Sequence, residues 1–100
     1  MIKIPKSFKL FATTINVVFD NKLMDAIKSF GAWNYSASTI TLATIDGIDE
    51  MSDDKRMDTF YHEKVHAILD LMRERELNEN EKFVDVFAKL LRQSDETAQY

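Results

Sequence analysis

Cysteine is absent from this 100-residue sequence, and glycine and proline are scarce. Without cysteine the chain cannot form disulfides, Cys-ligated zinc sites or iron–sulfur clusters, and it has no thiol nucleophile. Only two glycines and one proline occur, so no glycine-rich or proline-rich linker divides the chain. Because domains usually contain about 100 to 150 residues, we expect a single domain over residues 1–100.

The sequence also lacks an excess of positive charge and any long apolar run. Thirteen Lys and Arg residues stand against 17 Asp and Glu residues, which gives a net charge of −4. No positive field therefore attracts phosphate or anionic lipid, and we expect neither a nucleic acid nor a membrane as partner. Lys3, Lys6 and Lys9 interrupt the stretch in which a signal peptide needs continuous apolar residues. Since no apolar stretch of about 18 residues follows, the expected location is the cytoplasm.

The first half of the chain carries β-strand patterns. Residues 8–19 are rich in β-branched and aromatic types, which predicts a strand. Apolar residues at helical spacing over 23–30 predict a short helix that ends at Gly31. Segments 32–35 and 39–43 then predict the two strands of a hairpin with a short loop.

The second half carries helical patterns. A long helix is predicted from residues 51–54, where Ser and Asp suit a helix start, to about residue 75. A last helix is predicted to begin at residues 78–80. Strands followed by helices, without alternation, predict an α+β domain with a small antiparallel or mixed sheet. The two predicted apolar stripes consist of Met57, Tyr61, Val65, Ile68 and Met72 in the long helix, and Phe83, Val86, Phe87, Leu90 and Leu91 in the last helix.

Both histidines of the chain lie in an HExxH sequence in the middle of the long predicted helix. His62 and His66 are four residues apart, so a helix puts both imidazoles on one face, with β-carbons about 5 to 6 Å apart, where they can bind one metal ion. Glu63 is rotated away from them and can act as a general base beside the metal. The alternative is two solvated histidines without a role. Their place beside Leu69, at the border of the apolar stripe, favours a half-buried cleft.

A catalytic zinc normally has three protein ligands, so a third donor is required. No cysteine and no third histidine exist, which leaves a carboxylate, and the last helix offers Glu79 and Glu81 at its start. We favour Glu81 because it shares a helix edge with Asp85, which can accept the second N–H of a ligand imidazole. Asp70 lies four residues after His66, but three donors along one straight helix cannot surround a tetrahedral ion.

The HExxH motif at residues 62–66, followed by NExxxD at residues 80–85, resembles the motif pair of the gluzincins, the thermolysin-like zinc metallopeptidases. By its length the chain is similar to the minigluzincins, short single-domain relatives from prokaryotes, and a phage source also fits. The resemblance implies a zincin-like fold, in which a sheet precedes an active-site helix and a second packed helix. It implies zinc bound by His62, His66 and Glu81, Glu63 as general base and acid, and Asp85 beside a ligand histidine.

The resemblance further implies a zinc metalloendopeptidase that acts on a peptide or protein substrate. Such a substrate is expected to pair with an edge strand, for which residues 39–43 are the predicted candidate. Only 19 residues, 82–100, follow Glu81. The large C-terminal subdomain of thermolysin, with its oxyanion-stabilising tyrosine and histidine, therefore has no counterpart, and Tyr35, Tyr61 and Tyr100 are left unassigned.

Two alternatives remain open from the sequence. The first is a catalytically silent or latent zincin-like module that binds zinc and has a regulatory or interaction role. The second is a metal-free protein that dimerises through its amphipathic helices. For the polar tail at residues 93–100, a frayed terminus is one reading, and a segment that crosses the cleft and keeps the enzyme latent is the other. The oligomeric state does not follow from these patterns.

Overall fold

In the computed structural model, all strands and one short helix lie in the first half of the chain, and the longer helices lie in the second. The structure describes residues 3–100. This order of strands and helices confirms the predicted α+β class. In chain order the elements are β1 (Ser7–Leu10), β2 (Thr13–Phe19), α1 (Asn21–Ala26), β3 (Gly31–Asn34), β4 (Thr39–Leu42), β5 (Ile45–Asp46), β6 (Asp49–Glu50), α2 (Asp53–Leu71), α3 (Arg75–Glu79) and α4 (Glu81–Thr97).

Four strands form one mixed sheet in the order β1-β2-β4-β3. The pairs β1/β2 and β3/β4 are antiparallel, as a hairpin requires, whereas β2 and β4 run parallel. β5 and β6 form a separate antiparallel pair just before α2. The predicted hairpin at residues 32–43 is therefore present as β3 and β4, and β3 forms an edge of the sheet.

The strand predicted over residues 8–19 is in fact a hairpin. Phe11 has a φ of 54° and reverses the chain between β1 and β2. The two halves pair antiparallel, with Ser7 opposite Asn16. A bulky residue rarely takes this left-handed conformation, and neither Gly nor Asn marks the turn, so the continuous β-like composition concealed it. Phe11 points into solvent and is 82% exposed.

The helix predicted over residues 23–30 is shorter than expected, and Gly31 does not end it. Asp20 caps α1 by accepting a hydrogen bond from the Leu23 N–H at 3.0 Å. Lys28, with a φ of 56°, adopts the left-handed conformation that was expected of Gly31. Gly31 is instead the first residue of β3, where a close approach to α2 requires it, as described below.

α2 begins as predicted and ends earlier than predicted. The Ser52 hydroxyl accepts a hydrogen bond from the Lys55 N–H at 3.1 Å and caps the helix. The helix was expected to reach residue 75, but it stops before Arg73, whose φ of 61° turns the chain. The short helix α3, which the sequence patterns did not predict, then leads into α4.

α4 packs against α2, but its buried face differs from the predicted stripe. Asn80 caps the helix by accepting from the Phe83 N–H at 3.0 Å. Val84 and Ala88 are buried against α2, whereas Val86 is 48% exposed and Leu90 is 59% exposed. The sheet already covers the opposite side of α2, and residues 3–100 supply no further layer to cover the outer face of α4. Of the predicted stripe, Phe83 and Leu91 pack against the core, whereas the prediction was wrong for Val86, Phe87 and Leu90.

The main core lies between the sheet and α2, and the inner side of α4 extends it. A smaller cluster lies under α1 and the end of β4. Among residues 3–100, no helix has both the length and the apolar content needed to cross a membrane. The fully buried large side chains are Ile15, Met24, Ile40, Leu42, Met51, Phe60, Val65 and Val84.

Candidate metal centre

The side chains of His62, His66 and Glu81 meet between α2 and α4, and we call them the donor cluster. The two histidines lie four residues apart on α2 and are half-buried. Glu81 is the first residue of α4, where the Asn80 cap fixes the start of the helix. A carboxylate is favourable at this position because the N-terminus of a helix carries partial positive charge. The structure thus brings the three predicted ligands together from two helices.

The donor atoms of the cluster have distances that fit one small cation. His62 Nε2 lies 3.3 Å from Glu81 Oε2, and His66 Nε2 lies 3.5 Å from Glu81 Oε1. One ligand atom from each residue falls within 4.8 Å of the other two. Two donors held at about 2.0 to 2.1 Å from a tetrahedral zinc are about 3.3 Å apart. The composition and spacing of the cluster therefore fit zinc, with a fourth position left for water or substrate.

A hydrogen bond on the far side of His66 determines which nitrogen faces the cluster. Asn78 Oδ1 lies 2.6 Å from His66 Nδ1, so the ring donates its Nδ1–H to the amide oxygen. In the neutral ring Nε2 then carries a lone pair, and this lone pair faces the Glu81 carboxylate. Two acceptors at this distance need a cation between them or a second proton on the ring. Asn78 was not among the predicted site residues, because a contact between two different helices, α2 and α3, leaves no local pattern in the sequence.

Asp85 faces His62 but is engaged by another residue. Its Oδ1 lies 4.0 Å from His62 Nδ1, which is longer than a hydrogen bond. The same oxygen accepts a hydrogen bond from the Lys89 ammonium at 2.7 Å. This bond, with a smaller contribution from His62, lowers the pKa of Asp85. Asp85 therefore stays ionised near a predicted ligand histidine, but the hydrogen bond from an imidazole N–H that was expected of it is not formed.

Glu63 is the buried acid of the site. Its side chain is 9% exposed and lies against β3, on the sheet side of α2. Its pKa is raised to about 7: burial is the largest cause, His66 partly offsets it, and Glu81 adds a smaller increase. Each carboxyl oxygen of Glu63 either reaches solvent or has a hydrogen-bond partner. A carboxyl group that titrates near neutrality can both take up and release a proton.

Gly31 allows β3 to lie directly on this part of α2. A β-carbon at this position would lie 2.6 Å from Thr59 Cγ2 and 3.0 Å from Glu63 Cγ. The first distance is shorter than real contacts allow and the second is tight, so any other residue would displace the strand or the Thr59 side chain and crowd Glu63. The missing side chain thus sets how close the edge of the sheet comes to Glu63.

The other candidate residues lie outside the donor cluster. Asp70 accepts a hydrogen bond from the Trp33 indole N–H at 2.8 Å, and Glu79 is exposed on α3. Both line a cavity of about 450 Å³ next to the cluster, together with Asn78 and Arg73. Neither carboxylate joins a group of metal-binding spacing within residues 3–100.

The C-terminal segment does not cross the cleft. Residues 93–97 continue α4, which runs antiparallel to α2 and ends beside the first turns of α2. There the Tyr61 hydroxyl donates a hydrogen bond to Asp95 at 2.8 Å. Burial and the Asp95 carboxylate raise the pKa of Tyr61. Both readings of the tail, as frayed and as a guard of the cleft, were therefore wrong for these residues.

The edge strand also differs from the prediction. β4, at residues 39–42, lies inside the sheet between β2 and β3 and has no free edge. β3 is the edge strand, and it runs beside the face of α2 that carries Glu63.

No family model, curated protein or solved structure matches this chain. The function must therefore be argued from the geometry of the site itself.

Proposed function

We propose that the protein is a zinc-dependent metallopeptidase of the kind its motifs resemble. The donor cluster carries the proposal, because it brings the Nε2 atoms of two imidazoles within 3.3 and 3.5 Å of one carboxylate. His62, His66 and Glu81 would hold the zinc. The hydrogen bond from His66 to Asn78 supports this assignment, since the second nitrogen of a ligand histidine usually donates to an oxygen.

Glu63 is the proposed general base. Zinc at the donor cluster supplies a Lewis acid that polarises a carbonyl and lowers the pKa of bound water from about 15.7 towards about 7. Glu63 takes the proton of the attacking water and passes it to the nitrogen of the leaving amine, so that the carboxylate is regenerated. The burial of Glu63 supports this role, because a carboxyl group with a pKa of about 7 can both accept a proton from water and donate it to the amine.

The proposed substrate is an extended peptide that lies along β3. An edge strand offers unpaired N–H and C=O groups to a second chain, and main-chain hydrogen bonds then supply affinity with little dependence on sequence. Gly31 brings this strand against Glu63, which supports cleavage next to the paired segment.

The test combines zinc analysis with cleavage of a mixed peptide library. We expect one zinc per chain in the wild type, and hydrolysis that depends on it. Glu63→Gln should keep zinc and lose about 10²- to 10⁴-fold in rate, because it preserves shape while it removes the proton acceptor. Glu79→Gln, an exposed neighbour of the cluster, serves as the matched control and should keep both properties. A protein that takes up no zinc would refute the proposal.

A second candidate function is a zinc-binding module without turnover, with a regulatory or interaction role. It is favoured by the hydroxyl of Tyr61, which is bonded to Asp95 and so does not serve as an oxyanion donor in the cleft. Tyr35 lines the neighbouring cavity and does not belong to the donor cluster. Zinc bound at one per chain, with no cleavage of the peptide library, would favour this candidate over the peptidase.

A further inference from the structure

The hydrogen bonds of β3 alternate between the sheet and the free edge. Ala43 N–H donates to Phe30 C=O at 2.8 Å, and the antiparallel register continues through the pair Gly31 and Leu42. In an antiparallel pair, alternate residues exchange hydrogen bonds and those between them point away. The N–H and C=O groups of Gly31 and Trp33 therefore face the free edge of the sheet.

The first of these two edge positions is already occupied by a side chain of the protein. Ser29 Oγ donates to Gly31 C=O at 2.7 Å and lies 3.4 Å from Gly31 N. The hydroxyl thus covers both edge groups of Gly31, and a second chain cannot reach them while it is in place. A side chain that occupies edge groups in this way reduces the length of strand with which a second chain can pair.

The second edge position is anchored to the helix that carries the donor cluster. The Trp33 indole N–H donates to Asp70 Oδ2 at 2.8 Å, and both side chains are half-buried. Asp70 lies four residues, about one helical turn, beyond His66 on α2. The position of the Trp33 peptide unit relative to the metal centre is therefore fixed through Asp70.

We propose that an extended peptide pairs with β3 at Trp33 alone, that Ser29 blocks pairing at Gly31, and that Asp70 is a positioning residue for the Trp33 peptide unit. This inference rests on the proposed function for the identity of the ligand. It limits the main-chain contacts of a substrate to one residue of β3.

The test measures peptide binding instead of cleavage, in zinc-loaded protein with Glu63→Gln so that bound peptide stays intact. The probe is a dye-labelled random decapeptide pool, used unmodified and with N-methylated backbone amides. In this background Ser29→Ala should tighten binding of the unmodified pool about threefold to tenfold, because it opens a further hydrogen-bonding position. Ser36→Ala is the control, since the Ser36 hydroxyl bonds the Asn34 side chain at 3.0 Å instead of the edge.

N-methylation should remove the gain, because it removes the backbone donors. Binding that is unchanged or weaker in Ser29→Ala overturns the proposal, and so does a protein that binds neither pool. A destabilised variant would not bind more tightly, so the sign of the effect separates blocking from a structural role. The proposed function is judged separately by hydrolysis in the wild type.

The positioning role of Asp70 is tested in the same assay. Asp70→Ala should weaken binding about threefold to tenfold while the zinc content stays at one per chain. Asp70→Asn keeps an acceptor for the Trp33 indole and should restore binding. Equal affinity in Asp70→Ala and its parent would overturn this part of the proposal.

Discussion

The two ends of α4 contact α2 through polar groups, and only one of these contacts is complete. At the C-terminal end, the Arg92 guanidinium pairs with the Asp54 carboxylate at 2.9 Å, and the Tyr61 hydroxyl donates to Asp95 at 2.8 Å. Every donor there meets an acceptor. At the N-terminal end, the neutral His66 ring, which donates to Asn78 through Nδ1, presents the acceptor Nε2 to the Glu81 carboxylate at 3.5 Å.

The difference separates a contact that holds helices together from one that can accept a ligand. A complete polar contact adds stability and requires nothing further. An incomplete contact leaves room for a proton, a water molecule or a metal ion between its members, and the Glu81 side chain is 69% exposed, so each of these can reach it. The polar contact at the C-terminal end of α4 thus serves as a control for experiments on the donor cluster at its N-terminal end.

The largest expected effect is stabilisation by zinc. At a free zinc concentration about 1,000 times the dissociation constant, the free energy of unfolding should rise by about 4 kcal/mol, and EDTA should reverse the change. Glu81→Gln should remove most of this response, whereas Asp95→Asn, at the complete end, should leave it intact. Denaturant unfolding with and without zinc measures both. An equal zinc response in the two variants would mean that Glu81 is not a ligand.

A smaller effect is expected at Asn78, which orients His66 without belonging to the donor cluster. Asn78→Ala should weaken zinc binding about 10- to 100-fold, because the imidazole loses the partner that fixes its tautomer. Asn78→Asp keeps an oxygen that can accept from His66 Nδ1 and should bind zinc at least as well as the wild type. Zinc titration against a competing chelator provides the dissociation constants. If Asn78→Ala matches the wild type, the hydrogen bond at 2.6 Å has no influence on the metal.

The smallest effect is expected at the complete end. Tyr61→Phe removes one hydrogen bond and should lower the free energy of unfolding by about 0.5 to 1.5 kcal/mol. The dissociation constant for zinc should not change, since the ring still packs between the helices. Unfolding and zinc titration of the same variant check both statements. A weakened zinc affinity would show that the two ends are coupled and that the comparison between them is too simple.

The residues of the donor cluster were predictable because local rules govern them. A spacing of four residues places His62 and His66 on one helix face, and Asn80 is a strong helix cap that puts Glu81 in the first turn. These features depend on neighbours in the sequence. The α+β class followed in the same way from the order of strand and helix patterns.

The remaining features depend on contacts between distant parts of the chain. β4 took the inner position through parallel pairing with β2, a choice that alternation of apolar residues does not encode. The contact between Asn78 and His66 depends on where α2 ends, and that end is set by the left-handed Arg73. The turn at Phe11 has no residue that usually signals one.

The position of the sheet in the chain has a consequence for synthesis on the ribosome. All four strands of the sheet lie within residues 7–42, whereas the donor cluster spans residues 62–81. The nascent chain therefore exposes the apolar face of the sheet until α2 emerges to cover it, and a bound chaperone would protect it during this interval. The three residues of the donor cluster coexist only once the start of α4 has been translated, so the proposed metal site is completed late in synthesis.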